Sequence, residues 1–131
     1  MQVNDIMNSK PAVISPQASL PQALAMMAER KNRHLMVLDD QAMVLGILSD
    51  KDLAMAYDPA AGEGSAWQHA TVKQLMTARP VTIGSKAEVG EAARLLLKTA
   101  VSAMPVVDNG QLVGLLTDRD FTRYFALADR I

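Results

Sequence analysis

The sequence predicts a mixed α+β fold in which one unit, strand–helix–strand–strand–helix, is used twice. Three observations predict it. The first is an internal repeat. A shift that lays Val3 on Val72 also lays Ile6 on Leu75, Met7 on Met76 and Pro11 on Pro80. The same shift carries Leu20, Ala23, Leu24 and Met27 onto Val89, Ala92, Ala93 and Leu96, and Val37, Leu38 and Asp39 onto Val106, Val107 and Asp108. One deletion in a turn then brings Gly46, Asp50 and Asp52 onto Gly114, Asp118 and Asp120. The second is that the apolar pattern within each copy alternates between short runs and the i, i+3, i+4, i+7 spacing of a helix. The third is size: in a chain of 131 residues neither copy is large enough to bury its apolar faces alone.

The elements follow in order. Residues 12–14 and 81–83 are short apolar or β-branched runs after Pro11 and Pro80, suited to brief strands. Leu20, Ala23, Leu24 and Met27 line one face of a helix that Ser19 is placed to cap. In the second copy Ser85-x-x-Glu88 has the form of a capping box, and the same helical face returns from Val89. Residues 35–38 with 43–48, and 104–107 with 111–116, read as strand pairs joined by polar turns. The run "DNGQ" at the second turn is a strong hairpin signal. Residues 50–57 and 118–128 read as helices. Between the copies, "DPAAGEGSAWQHA" has the Pro, Gly and Ser content of a surface connection. The division expected is repeat one over residues 1–57, a linker over 58–70 and repeat two over 71–131, together one module.

Bulk properties exclude several functions. A net charge of −1 argues against a nucleic-acid binder, which shows a basic excess or stripe. The absence of cysteine removes disulfides, thiolate nucleophiles and Cys-ligated metal. His34 and His69 are far apart in sequence and lack paired carboxylates, so no metal site is expected. The opening "MQVNDIMNSK" is not a signal peptide, and no run approaches a membrane span, which makes a cytoplasmic location the default. No nucleophile–base pair or carboxylate dyad is legible, so no enzyme is expected. Nine Met join the aliphatics in the core. Trp67 and His69 are expected to dock the linker.

The sharpest local feature is "GILSDKDL", residues 46–53, repeated as "GLLTDRDF", residues 114–121. Read locally, Ser49-x-x-Asp52 and Thr117-x-x-Asp120 are helix caps of the capping-box type, with Asp in place of the longer Glu. Their duplication inside a longer repeated pattern asks for more than a cap, and the family resemblance given below implies a ligand loop as well. The two readings are compatible.

In order and in duplicate, "VNDIM…PAVIS", "VKQLMTARPVTI", "RHLMVLDDQAMVLGILSDKDL" and "SAMPVVDNGQLVGLLTDRDF" resemble the tandem CBS (cystathionine-β-synthase) domain, or Bateman module. The resemblance spans nearly the whole chain. Among stand-alone members it is similar to acetoin-utilisation-like proteins. It implies two repeats packed through their sheets with approximate two-fold symmetry, clefts between them for adenosine nucleotides or adenosyl ligands, and pairing of two modules into a homodimeric disc. The first copy departs from the pattern at Leu35 and Met36, where the second has Met104 and Pro105, and at Ser49 in place of the usual Thr.

The resemblance also implies roles for residues. Asp52 and Asp120 stand where the family places the carboxylate that accepts both vicinal ribose hydroxyls. Ser49 and Thr117 are placed to donate to ribose or phosphate oxygens. A helix N-terminus offers free N–H groups to an anion, and Lys51 and Arg119 add positive charge. Gly46 and Gly114 let backbone approach either the ligand or the neighbouring repeat. The adenine pocket falls to Ala12, Val13, Ile14 and Ile47, and to Val81, Thr82, Ile83, Val101, Ser102 and Leu115. In this scheme the Asp120 loop faces residues 12–14 with Arg33 and His34, and the Asp52 loop faces residues 81–83 with Val101 and Ser102. Arg33 and His34 are implied phosphate contacts, so the sites are expected to be unequal, with the Arg33 and His34 side better suited to a polyphosphate. A half-exposed residue at a strand start is the plainer reading of His34.

The expected function is a regulatory module that senses AMP, ADP, ATP or another adenosyl compound and signals to a partner protein by changing shape. No cofactor is required. Any output domain is expected to be on another polypeptide or absent. The alternative is a dimeric interaction scaffold with vestigial clefts. The C-terminal helix either offers an amphipathic face for the dimer or is a plain surface helix.

Overall fold

The computed structural model describes residues 1–60, 62 and 65–128. Packing divides the chain into two units, Ala12–Pro80 on one side and Met1–Pro11 with Val81–Ile131 on the other. Each unit therefore combines most of one sequence copy with the segment that leads into the other copy. That exchange decides where several strands find partners.

The Ala12–Pro80 unit contains β1 (Val13–Ile14), α1 (Leu20–Arg30), β2 (His34–Leu38), β3 (Val44–Ser49), α2 (Asp50–Ala56), α3 (Ala66–His69), α4 (Val72–Leu75) and β4 (Thr77–Ala78). The strands form one sheet in the order β1-β2-β3-β4, parallel at β1–β2 and antiparallel beyond. Ser19 caps α1 as its spacing predicts. Its N–H donates to Gln22 Oε1 at 2.8 Å, and Gln22 N–H donates to Ser19 Oγ at 3.2 Å. The apolar stripe of α1 buries Leu20, Ala23 and Met27 against Leu35, Val37, Leu48 and Leu53. Leu24, expected on that face, is 43% exposed because it lies on the stripe's margin. Burial of each large aliphatic side chain contributes about 1.5–3 kcal/mol, so this stripe does more for α1 than propensity does.

The linker holds a helix that the sequence does not predict, and Trp67 docks it as expected. Residues 61, 63 and 64 lie outside the described residues, but α3 carries Trp67 into the core, 6% exposed, with Tyr57 edge-on to it at 5.0 Å. His69 stays exposed. The strand Thr77–Ala78 was not expected either: it pairs with Gly46 and Ile47 of β3, and so extends the sheet of the copy it does not belong to in sequence.

The second unit contains a 3-10 turn (Val3–Asp5), α5 (Val89–Thr99), the antiparallel pair β5 (Ala103–Asp108) and β6 (Gln111–Thr117), and α6 (Asp118–Ala128). Its core joins Val3, Val89, Ala92, Leu96, Met104, Val106, Leu116 and Phe121. The hairpin turns where predicted, with Asn109 and Gly110 both at positive φ, 51° and 79°. Residues 81–83, expected as a strand, make only an isolated parallel bridge between Ile83 and Val106. Residues 129–131, the end of the expected amphipathic terminus, lie outside the described residues.

The capping box at Ser85 does not form. Helix α5 starts after Glu88, which makes no side-chain cap, and Glu88 is the counterpart of Ser19. Ser85 instead binds Asp108: its hydroxyl donates to Oδ2, and its N–H donates to Oδ1 at 2.9 Å. The Ser85 hydroxyl first and the Ser85 N–H second hold the Asp108 carboxyl below the usual range for Asp, against the opposing effect of desolvation, and the Lys86 charge adds a lesser lowering.

Candidate functional site

Both "GILSDKDL" and "GLLTDRDF" run from a strand into a helix, and both close on themselves. In the first loop Ser49 N–H donates to Asp52 Oδ2 at 2.9 Å, and Asp52 N–H donates to Ser49 Oγ at 3.1 Å. The short Asp arm therefore completes a reciprocal box. In the second loop Asp120 Oδ2 accepts from Thr117 N–H at 2.8 Å and from the Thr117 hydroxyl at 3.2 Å. Its Oδ1 is held by the Arg123 guanidinium, one turn along α6. Asp120 is buried at 6% exposure, whereas Asp52 is half-buried.

The first turn of α2 does not offer the free N–H groups that an anion would need. Asp50 N–H donates to the Arg33 carbonyl at 2.8 Å, Lys51 N–H to Asp50 Oδ1 at 2.8 Å, and Asp52 N–H to Ser49 Oγ. In the second copy Asp118 N–H donates to the Ser102 carbonyl at 2.9 Å. In the first copy this departs from the expected N–H cradle, because the donors of the first turn of α2 are taken by Arg33, Asp50 and Ser49. Lys51 and Arg119 are exposed beside their loops.

Arg33 and His34 sit against the first loop of their own unit. Arg33 Nε lies 3.2 Å from Asp50 Oδ2, and half-buried His34 is the cross-strand neighbour of Ser49. In the second unit the same positions hold Ser102, exposed, and Ala103, paired with Thr117. Within their unit Arg33, His34, Ser49 and Asp50 thus form a local cluster, and the second copy has Ser102 and Ala103 at the two basic positions.

The expected adenine residues divide by strand alternation. Ala12 and Ile14 are buried in the core while Val13 between them is 44% exposed. The Ala12 carbonyl accepts from Met36 N–H at 2.8 Å, so the backbone groups of Val13 point away from β2, at the sheet edge. Residues 81–83 repeat this. Ile83 is buried, donates to the Pro105 carbonyl and accepts from Val107 N–H, and exposed Thr82 beside it faces outward, with half-buried Val81 preceding it. Ile47 is half-buried and pairs with Thr77. Leu115 is buried, and both its backbone groups bond to Asn8 at 2.9 Å. Val13 and Thr82 are the members of the set with an outward edge.

The loop glycines serve segment packing. A Cβ at Gly46 would stand 2.5 Å from Met76 Sδ and 2.7 Å from the Thr77 carbonyl oxygen. At Gly114 it would stand 2.5 Å from Met7 Sδ and 3.0 Å from the Asn8 carbonyl oxygen. The repeat of Met7 on Met76 carries this signal in the sequence, because each "Met" precedes the backbone that crosses a glycine.

A cavity of about 550 Å³ in the second unit is lined by Asp120, Arg123, Tyr124, Asp5, Ile6 and neighbouring residues. Val101 lines a different one of about 500 Å³, with Leu97, Phe121 and Phe125. Among the described residues no group of three His, Cys, Asp or Glu stands close enough to hold a metal, and no helix is long and apolar enough to cross a membrane.

Comparison with known proteins agrees with the duplicated architecture. The model of the CBS domain matches residues 3–58 and again 72–127. The chloroplastic CBS domain-containing protein CBSX2 of Arabidopsis thaliana is 32% identical over 85% of this chain, which spans 57% of that protein. The chain thus spans about half the length, or less, of the first curated relatives it matches. A crystal structure of CBSX2 in complex with AMP superposes with a TM-score of 0.80, at 30% identity over 98% of both chains. A putative acetoin utilization protein from Vibrio cholerae superposes with a TM-score of 0.82, at 27% identity over 98% of this chain and 93% of that one. The CBS domain pair of protein MJ0100, in complex with 5′-methylthioadenosine and S-adenosyl-L-methionine, superposes with a TM-score of 0.84, at 25% identity over 98% of both chains.

Proposed function

The chain belongs to the CBS-domain family, with two copies of the domain in tandem, and from that premise we propose that it is a regulatory module for an adenosine nucleotide or adenosyl compound. The observation that carries the reading is the overlap of two facts. CBS pairs that match 98% of this chain hold AMP, or methylthioadenosine and S-adenosylmethionine. This chain keeps a carboxylate, a hydroxyl and a cation in both of its loops: Asp52, Ser49 and Lys51, and Asp120, Thr117 and Arg119.

In this reading Asp52 and Asp120 accept the 2′ and 3′ hydroxyls of a ribose. The outward edges at Val13 and Thr82 supply N–H and C=O groups to an adenine edge. Arg33, His34, Lys51 and Arg119 supply phosphate contacts, with charge rather than backbone N–H groups as the attraction. The module binds and transmits; it does no chemistry. Exposed Leu97 and Phe125, 83% and 55% accessible, belong to the apolar face through which a homodimer forms. A regulated partner protein receives the change of shape.

A second reading, an interaction scaffold with vestigial sites, draws on the self-closure of the Asp120 loop, whose carboxylate is satisfied on both oxygens. A thermal-shift panel of AMP, ADP, ATP, NAD and S-adenosylmethionine separates the two. A ligand present at 100 times its dissociation constant raises stability by about 2.7 kcal/mol. The sensor reading requires at least one such shift; flat curves across the panel leave the scaffold.

A further inference from the structure

We infer that Arg123 is a latch on Asp120 that makes the second loop the weaker of two ribose sites, so that the module reports ligand in two concentration ranges. The inference rests on the sensor reading above and adds an order of filling to it.

A vicinal diol is recognised by donating two hydroxyl protons to carboxylate oxygens that have room for them. At Asp120 that room is taken. Oδ2 accepts from Thr117 twice, and Oδ1 is held by Arg123. A ribose that uses Oδ1 must compete with the guanidinium for it. At Asp52 only Oδ2 is committed, to Ser49 N–H, and Oδ1 accepts nothing among the described residues. The repeat explains the difference. The residue equivalent to Arg123 is Met55, which cannot donate and is 86% exposed. Two loops that match at the hydroxyl, the carboxylate and the glycine therefore differ at the group that guards the carboxylate.

The latch is built to move. The Arg123 side chain is 67% exposed, so its ion pair is partly screened by water although the Asp120 side chain is 7% exposed. The pair lines the 550 Å³ cavity, which is within the size range that holds a nucleoside, and Asp5 lines the same cavity. A displaced guanidinium thus remains beside a bound ligand and has a second carboxylate on the same wall. Among the described residues no cation is paired with Asp52 as Arg123 is with Asp120, so that loop takes the first equivalent and the Asp120 loop takes the second.

The test is calorimetric titration of the full chain with AMP, and separately with S-adenosylmethionine, since both present a ribose diol. The wild type is expected to show two classes of site, the weaker lost in Asp120→Asn. Arg123→Met, which copies the first repeat, should tighten that weaker class by about 3–10-fold, roughly the 1 kcal/mol of a partly exposed ion pair. The stronger class should be unchanged. The converse variant Met55→Arg should weaken the stronger class. An Arg123→Met protein that melts like wild type yet leaves the weaker class unchanged or looser overturns the latch and leaves the sensor reading standing. No heat with either compound, in wild type or variant, overturns both.

Discussion

Substitution of the two loop glycines by alanine separates a packing role from a ligand role. At Gly46 the added methyl meets Met76 Sδ at 2.5 Å, which a flexible thioether can vacate, and the Thr77 carbonyl oxygen at 2.7 Å, which it cannot. A normal carbon–oxygen contact needs roughly another half ångström, so β4 must move away from β3, to which Thr77 and Ala78 are paired. At Gly114 the nearest obstacle is Met7 Sδ, and the Asn8 carbonyl at 3.0 Å has only a few tenths to give. Overpacking of this kind costs about 1–3 kcal/mol, and relief of glycine's chain entropy returns about 0.5–1 kcal/mol. Gly46→Ala is therefore expected to destabilise by about 2 kcal/mol, and Gly114→Ala by about 1 kcal/mol or less. Urea titration followed by circular dichroism measures both. The reasoning is refuted if Gly46→Ala is as stable as wild type, or if Gly114→Ala is the more damaging of the two. It is refuted equally if either alanine abolishes AMP binding at unchanged stability, since that would assign the glycine to the ligand.

The remaining expectations concern titration and backbone. Asp108 has its carboxyl lowered chiefly by the Ser85 hydroxyl, then by the Ser85 N–H. Its contribution is present above the ordinary Asp range and is lost as pH falls through the lower folded value. Ser85→Ala should flatten the acid limb of a urea-midpoint-against-pH curve below about pH 4, and an unchanged limb would remove the bond from the account. Helices α1 and α5 both end on a non-glycine residue in the left-handed region, Lys31 at φ 55° and Ala100 at φ 56°. Ala100→Gly should stabilise by about 0.5–1 kcal/mol, the left-handed penalty less the added chain entropy. Thermal denaturation checks it, and a lower melting temperature would contradict it.

What the sequence reveals most directly is what each residue decides locally. Asn109 and Gly110 dictate a turn whatever surrounds them, and Ser19 with Gln22 closes a cap from residues three apart. The duplicated loops are visible for the same reason, since Ser49 and Asp52 make their box without outside help. What the sequence hides depends on partners brought from a distance. Thr77 and Ala78 lack a strand-like run and become a strand because Gly46 leaves room beside β3. Ser85 has a cap's spacing, yet Asp108 across the fold outcompetes the helix for its hydroxyl. That Trp67 docks the linker is legible, but that it does so from a helix, α3, with Tyr57 edge-on to it, is not. The site shows the same split. Its carboxylates and hydroxyls are legible as a repeat. The filling of the α2 N–H groups by Arg33, Asp50 and Ser49 requires coordinates. Arg123 was legible in principle, three residues beyond Asp120 on one helix face, but only its absence from the first copy gives it meaning.

The claim on which the functional account turns is that Asp52 and Asp120 receive a ribose. Asparagine at both positions preserves the shape and an oxygen for the loop's backbone N–H, so the caps survive while the diol loses its charged acceptor. Titration of Asp52→Asn/Asp120→Asn with AMP beside wild type is the direct measurement. Wild type should bind saturably, and the double variant should bind at least about 10-fold more weakly, the loss of one charge-assisted hydrogen bond being about 1.5–3 kcal/mol. Equal affinity in the two proteins would contradict the account.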